Sequence, residues 1–255
     1  MTIRTATLNN VAIIEIARPE KKNAITSEMY VAMGSALMTA SEDPAIRAVL
    51  IVGQPGIFTS GNDLDDFMNA PPRTGDSTPP QFLFMRALVA CEKPVIAAVT
   101  GAAIGIGTTM LLHCDFVYVS DEARLAMPFV SLGLVPEFGA SYIAPRLMGK
   151  AAAAEKLLLG EPFTAEQAVE YGIASAVLPA GEVVHHARRV AERFNALPPG
   201  AVRDTKKLMR QHDLSAVLKA IDDEATVFTA RLRSPEAQEA FQAFFQKRSP
   251  DFSKF

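Results

Sequence analysis

Residues 95–114 read VIAAVTGAAIGIGTTMLLHC, twenty positions without a formal charge. Length alone would nominate this stretch as a membrane span. Its composition argues against that. It opens on the β-type run Val95–Val99 and then carries Gly101, Gly105 and Gly107 among Thr100, Thr108 and Thr109. Glycine disfavours a helix by roughly 1 kcal/mol per position relative to alanine. The stretch therefore reads as a buried strand, a glycine loop and a buried helix, and no membrane partner is expected. Similar strands lie on both sides: VAIIEI at 11–16, stopped by Arg18-Pro19, AVLIV at 48–52, and FVYV within 115–120. A fully apolar run such as AVLIV belongs to a parallel sheet covered on both faces. Helical segments alternate with these strands. Thr26 can cap a helix over 27–40, whose face is set by Ile25, Met29, Met33 and Leu37 at four-residue steps, and 83–91 predicts another. Strand–helix alternation predicts an α/β fold with crossover connections.

From Lys150 the chain turns mostly helical. Thr164 and Gln167 form a capping box, and helices are expected over 182–197, 201–211, 215–231 and 235–246, the last capped by Ser234 with Pro235 in its first turn. Pro198-Pro199-Gly200 is the best hinge, which divides the chain into a core, 1–197, and a helical C-terminal segment, 198–255. Residues 69–80 hold four prolines and no apolar period, so they predict a loop, either a mobile one beside a site or a plain surface loop.

The charge balance, 25 Lys+Arg against 28 Asp+Glu, excludes a nucleic-acid binder working through a broad basic face. With 49% hydrophobic and 21% charged residues the chain is not disordered. Its 255 residues bury enough surface to need no disulfide or metal staple. The two cysteines, Cys91 and Cys114, sit in apolar segments as packing residues. No secretory leader is evident over 1–10, and a cytoplasmic location is expected. The terminal Ser253-Lys254-Phe255 is similar to a peroxisomal address but ends in Phe, so it reads as an ordinary charged tail.

Nucleotide, metal and serine-nucleophile readings fail on spacing. Gly105-Ile106-Gly107 lacks the third glycine of a dinucleotide fingerprint, no P-loop or Gly-x-Ser-x-Gly elbow occurs, and the four histidines have no ligand spacing. Three glycine-bearing turns remain: Phe58–Leu64 (FTSGNDL), Thr100–Gly107 (TGAAIGIG) and Leu132–Gly139 (LGLVPEFG). The first two place backbone N–H groups at strand ends or helix starts, where they can hold an oxyanion. Each alone also reads as an ordinary turn or a close-packing device.

In this order and spacing, the motifs resemble the crotonase superfamily, the enoyl-CoA hydratase/isomerase family, over essentially the whole length. The matching residues are Arg18-Pro19, Asn23-Ala24-Ile25, 58–64, Lys93-Pro94-Val95-Ile96-Ala97, 101–107, Cys114-Asp115, 132–139 and the helical tail. The resemblance implies a spiral of ββα units with a helical C-terminal oligomerisation segment, and a homotrimer or hexamer. It implies an acyl-CoA substrate, coenzyme A being part of the substrate and no separate cofactor or metal being needed. The backbone amides of Asn62 and Ile106 would form the oxyanion hole for the thioester carbonyl. Lys22, Ala24, Ser60, Gly61, Asn62, Asp63, Leu64, Gly105 and Phe129 would contact the substrate, with the adenine end against main chain.

Within the resemblance, hydratases use two glutamates to activate water. The corresponding positions here are Thr109 and Phe129, and both carboxylates are missing. Glu137 remains, in a turn similar to that holding the single base of peroxisomal-type Δ3,Δ2-enoyl-CoA isomerases. That subgroup also has a Ser-Gly-Asn-Asp-Leu first turn and a Gly-Ile second turn. Phe138 replaces the small residue usual after the base, which bears on acyl-chain fit. Leu134, Val135 and Phe138 neighbour Glu137 in sequence, so desolvation should raise its pKa towards about 6–7. A helix N-terminal charge is the alternative reading of Glu137. For the whole chain the alternatives are an enoyl-CoA hydratase or other acyl-CoA enzyme of the same fold, and a non-catalytic acyl-CoA-binding protein.

Overall fold

The computed structural model describes residues 2–69 and 78–255. The strands are β1 (Ile3–Leu8), β2 (Val11–Ile16), β3 (Ala48–Val52), β4 (Ile57–Thr59), β5 (Val95–Val99), β6 (Ala102–Ile104), β7 (Phe116–Ser120), β8 (Arg124–Ala126), β9 (Phe163–Thr164) and β10 (Ala176–Leu178). They form two sheets, β1-β2-β3-β5-β7-β10 and β4-β6-β8-β9. Successive strand pairs, β3 with β4, β5 with β6 and β7 with β8, each place one strand in the large sheet and the next in the small one. This is the expected ββα spiral. All five residues of β3 and of β5 are buried, as their unbroken apolar runs demand.

The helices are α1 (Ser27–Glu42), α2 (Leu64–Asn69), α3 (Pro80–Ala90), α4 (Ile106–Thr109), α5 (Ala140–Leu147), α6 (Lys150–Leu158), α7 (Ala165–Glu170), α8 (Val183–Arg193), α9 (Pro199–Arg210), α10 (Leu214–Arg231) and α11 (Pro235–Phe245). Thr26 caps α1 through the Met29 amide, and the 25/29/33/37 face is buried in the main core. The Thr164–Gln167 capping box and the Ser234 cap with its following proline both form. The glycine stretch behaves as read, since β5, β6 and a short buried α4 share residues 95–109. No helix among the described residues is long and apolar enough to cross a membrane.

Pro198-Pro199-Gly200 lies at the start of α9. Pro198 is the cap position of α9 and Pro199 its first residue, where the missing N–H removes nothing from the helix. The segment after it shares the main core through Ile221, Phe228, Ala237 and Phe241. Of the proline-rich stretch 69–80, positions 70–77 lie outside the described residues.

Candidate active site

Construction begins at Arg18 and Asn23. Lys22 and Asn23 take left-handed backbone conformations, φ 52° and 55°, after a 3-10 turn over Pro19–Lys21. The turn buries the Asn23 side chain completely. Its Nδ2 donates to the carbonyls of Ile57 and Phe58 at 3.1 and 3.0 Å, while its Oδ1 accepts the Arg18 amide at 2.8 Å. Asn23 thus ties the first loop to β4. Arg18 Nη1 donates to Asp63 Oδ2 at 2.5 Å and to the Ala24 carbonyl at 3.0 Å. Burial works against the Asp63 anion, but the Arg18 hydrogen bond and the Asp66 and Asp65 amides hold its pKa below the usual value.

That frame positions Asn62. A parallel bridge joins Ile25 to Asn62, closed by Ile25 N–H to the Gly61 carbonyl at 2.8 Å and Asp63 N–H to the Ile25 carbonyl at 2.9 Å. The Asn62 amide takes no part in that bridge. Gly61 has φ +97°, and a Cβ there would stand 2.9 Å from the Ile104 carbonyl oxygen, so only glycine fits. Gly105 has φ +58° and precedes Ile106, the first residue of α4, whose N–H has no intrahelical acceptor. Neither the Asn62 nor the Ile106 N–H meets an acceptor among the described residues. Each follows a positive-φ glycine, on loops brought together by β4–β6 pairing. Two such free donors can stabilise a developing oxyanion.

Lys22, Ala24, Ser60, Gly61, Asn62, Asp63, Leu64, Gly105 and Phe129 all line one cavity of about 710 Å³. Its walls are polar at Glu20–Lys22 and Asp63–Asp65, and apolar at Phe67, Leu132, Leu134 and, from α10 and α11, Phe228, Phe241, Phe244 and Phe245. No sequence motif marks the C-terminal aromatics, which sit on helices remote in sequence from the glycine turns. Ile106 and Glu137 lie behind the wall, with Ile106 wholly buried and Glu137 only 2% exposed.

Asn62 Nδ2 donates to Glu137 Oε1 at 3.3 Å, and the Tyr30 hydroxyl donates to Asn62 Oδ1. Burial pushes the Glu137 carboxyl up to about 8. The Asn62 hydrogen bond works against that shift, and the negative Glu224 adds to it. The value exceeds the sequence expectation of about 6–7 because Glu137 is sealed from water by more than its sequence neighbours. Glu137 does not cap α5. Glu224 from α10 does so, accepting the Gly139 and Ser141 amides at 2.6 and 2.8 Å. Phe138, at φ 64°, carries the strained backbone beside Glu137. Its ring stacks on His113 at 4.0 Å, and its carbonyl accepts His113 Nε2–H at 2.7 Å. Burial lowers the His113 pKa to about 4, the Phe138 hydrogen bond works against the shift and Arg210 adds to it; the ring is therefore a neutral donor. The bulk of Phe138 is turned into the core and is absent from the cavity wall. Phe129 does form wall, and Thr109 is buried with no partner for its Oγ1 among the described residues. Tyr30, Glu224 and His113 had no motif to announce them. The Cys114 thiol, pushed up to about 12 by burial, then by Asp115, is inert packing as read.

Residues 6–254 match the family described as enoyl-CoA hydratase/isomerase. The chain belongs to the enoyl-CoA hydratase/isomerase family. Human enoyl-CoA delta isomerase 2 is 34% identical over 97% of this chain, which spans 64% of that protein's length. The 2,3-dehydroadipyl-CoA hydratase of Escherichia coli K12 is 32% identical, over 95% of this chain and 94% of that protein. Among solved structures, an enoyl-CoA hydratase/isomerase from Pseudoalteromonas atlantica T6c superposes with a TM-score of 0.94 at 38% identity, covering 99% of this chain and 100% of that one. OdaA of Pseudomonas aeruginosa has a TM-score of 0.91 at 49% identity, covering 95% and 98%. These likenesses establish the crotonase fold of this family member and include isomerases and hydratases alike.

Proposed function

We propose that the chain is a Δ3,Δ2-enoyl-CoA isomerase with Glu137 as its proton shuttle. The observation that carries the reading is the pairing of a buried carboxylate, Glu137, with the side chain of the residue whose backbone N–H is free for an oxyanion, Asn62. Glu137 takes a proton from C2 of a 3-enoyl-CoA, and the electrons move onto the thioester oxygen as a dienolate. The N–H groups of Asn62 and Ile106 hold that oxygen, each contributing roughly 3–4 kcal/mol to the transition state. The protonated Glu137 then returns the proton at C4, leaving the double bond between C2 and C3. One carboxylate serves both steps because burial keeps solvent from exchanging with its proton. Lys22, Ala24, Ser60, Gly61, Asp63, Leu64, Gly105 and Phe129 bind the substrate around this centre, and coenzyme A arrives as part of it.

Hydration is the second reading, favoured by the similarity to the E. coli hydratase. Against it stand Thr109 and Phe129, neither of which can activate water. A panel of 3-enoyl-CoA thioesters, monitored for formation of the conjugated 2-enoyl product, tests the proposal; no turnover across chain lengths overturns it. We also infer a homotrimer or hexamer, supported by apolar side chains left exposed on the C-terminal helices, such as Met209 and Phe244. Light scattering of the purified chain decides this, and a monomer would refute it. The free thiols of Cys91 and Cys114 suit the expected cytoplasmic setting.

A further inference from the structure

The side-chain amide of Asn62 has two ends of nearly equal size and opposite hydrogen-bonding character. Which end faces Glu137 decides whether the carboxylate meets a donor or an acceptor. The Asn62–Glu137 contact cannot make that choice alone, because a protonated Glu137 would donate its O–H to Oδ1 of the reversed amide equally well. A third group is required, and Tyr30 is that group. It follows the first turn of α1, its amide donates to the Thr26 carbonyl at 3.0 Å, and it is 2% exposed. Its ring packs against Phe84 with centroids 5.6 Å apart, and Phe84 packs edge-on against Phe138 at 6.1 Å. The phenol is thus fixed in place by the same aromatic chain that ends on the residue after Glu137.

We propose that Tyr30 is a positioning residue: by donating to Asn62 Oδ1 it fixes Nδ2 towards Glu137, locking the loop of the free Asn62 N–H and the loop of the base into one unit. The phenol suits the role. Burial, then the charges of Glu137 and of Asp66 on α2, hold its pKa well above the ordinary tyrosine value, so it stays a donor throughout the working range. Among the described residues, the charged groups acting on the trio are Asp66, itself held by the Ser27 amide and hydroxyl, and Glu224 from α10. Both are negative, so neither could replace the phenol as a donor to Oδ1. The inference rests on the proposed function only in taking Glu137 as the base; the hydrogen-bond logic is independent of any reaction.

The test is Tyr30→Phe, read first on the unliganded protein by carbon-13 NMR titration of the Glu137 carboxyl. Without the phenol the amide is free to present Oδ1 to protonated Glu137. The titration midpoint should then rise by about one pH unit, the tenfold effect expected for losing a hydrogen bond to a charged group. Isomerisation kcat at neutral pH should fall by about tenfold, with KM changed less than about threefold, as expected where the substrate contacts are intact. A tyrosine that merely satisfies its own hydroxyl would cost stability and leave the midpoint where it was, and that result overturns the proposal. Should Tyr30→Phe not fold, 2,3-difluorotyrosine at position 30 keeps the ring and strengthens the donor. The midpoint should then fall, and an unmoved midpoint again refutes the role. If the unmutated protein turns over no 3-enoyl-CoA, the isomerase reading fails, while the Glu137 titration still decides the role of Tyr30.

Discussion

Glu224, on α10, accepts the backbone N–H of Gly139 at 2.6 Å across 85 positions of sequence. With its second oxygen on the Ser141 amide, it fills the anion-attracting start of α5 that Glu137, three residues before that helix, would otherwise fill. The carboxylate of Glu137 is thereby left for Asn62. Glu224→Ala should orphan two N–H groups and release Glu137 to fold back onto them. We expect a loss of about 2–4 kcal/mol, combining a lost helix cap with buried unpaired donors, and a matching loss of isomerisation. Urea unfolding and single-substrate kinetics check this; Glu224→Gln, which keeps one acceptor, should fall between.

Glu137→Gln keeps shape and hydrogen bonding but removes the base. Turnover of a 3-enoyl-CoA should drop by a factor on the order of 10²–10⁴, with acyl-CoA affinity nearly unchanged. Stability should move the other way. The folded pKa of Glu137, about 8, lies above its unfolded value, so the folded state holds a proton that the unfolded state has lost between roughly pH 4.5 and 8. Wild-type stability therefore falls across that window and levels off above it. Glu137→Gln escapes this loss, so its melting temperature should exceed that of the wild type by several degrees at pH 8 and match it near pH 4. Equal melting temperatures at both pH values would show that Glu137 is not held in a desolvated site.

Strands and helices whose hydrophobic pattern is complete within their own residues were legible before any coordinates. The bounds of β2, β3 and β5 fall at the first and last residues of VAIIEI, AVLIV and VIAAV, since β3 and β5 are buried end to end and β2 is buried at both ends. The edge strand β1 escaped notice because five of its six residues are exposed. The signal present was Asn9-Asn10, both left-handed, forming the two-residue turn that sets Leu8 opposite Val11. The small sheet was missed because strands of two or three residues carry no period. At the site, glycine turns were readable because positive φ leaves a mark on the residue type. Tyr30 and Glu224 were not, because their function lies in contacts 32 and 85 positions away.

Arg18 and Asp63 hold the Asn62 loop by an ion pair with both side chains largely buried. Removing one partner of such a pair leaves an uncompensated charge and costs more than the pair itself contributes. Arg18→Ala should destabilise by about 3–5 kcal/mol and lower kcat more than it raises KM, because the oxyanion donor loses its brace. The pH dependence has the opposite sense to that of Glu137. The Asp63 pKa is depressed in the folded state, so its contribution is complete above its unfolded value near 4 and is lost as pH falls through the lower folded value. Acid unfolding of Arg18→Ala should therefore begin at higher pH than that of the wild type, measurable by circular dichroism.

Hydration of crotonyl-CoA requires a water held and deprotonated beside C3, a task for which the family's hydratases use two carboxylates. Here Phe129 occupies the cavity wall and Thr109 offers a hydroxyl that is fully buried and lacks a partner among the described residues. An alcohol is far too weak a base near neutral pH, and the Phe129 ring has no group that could deprotonate a water. Losing general acid–base catalysis alone accounts for a factor of about 10²–10⁴, so hydration should run at least 10²-fold slower than isomerisation in the same preparation. The orphan hydroxyl supplies the control. Thr109→Val replaces an unsatisfied buried oxygen by a methyl group of similar size, and relieving such a group stabilises by about 1 kcal/mol. That variant should melt higher while isomerising at the wild-type rate. A fall in isomerisation with Thr109→Val would mean that the hydroxyl meets substrate or water in the working enzyme, and rapid crotonyl-CoA hydration by the unmutated protein would end the one-carboxylate reading.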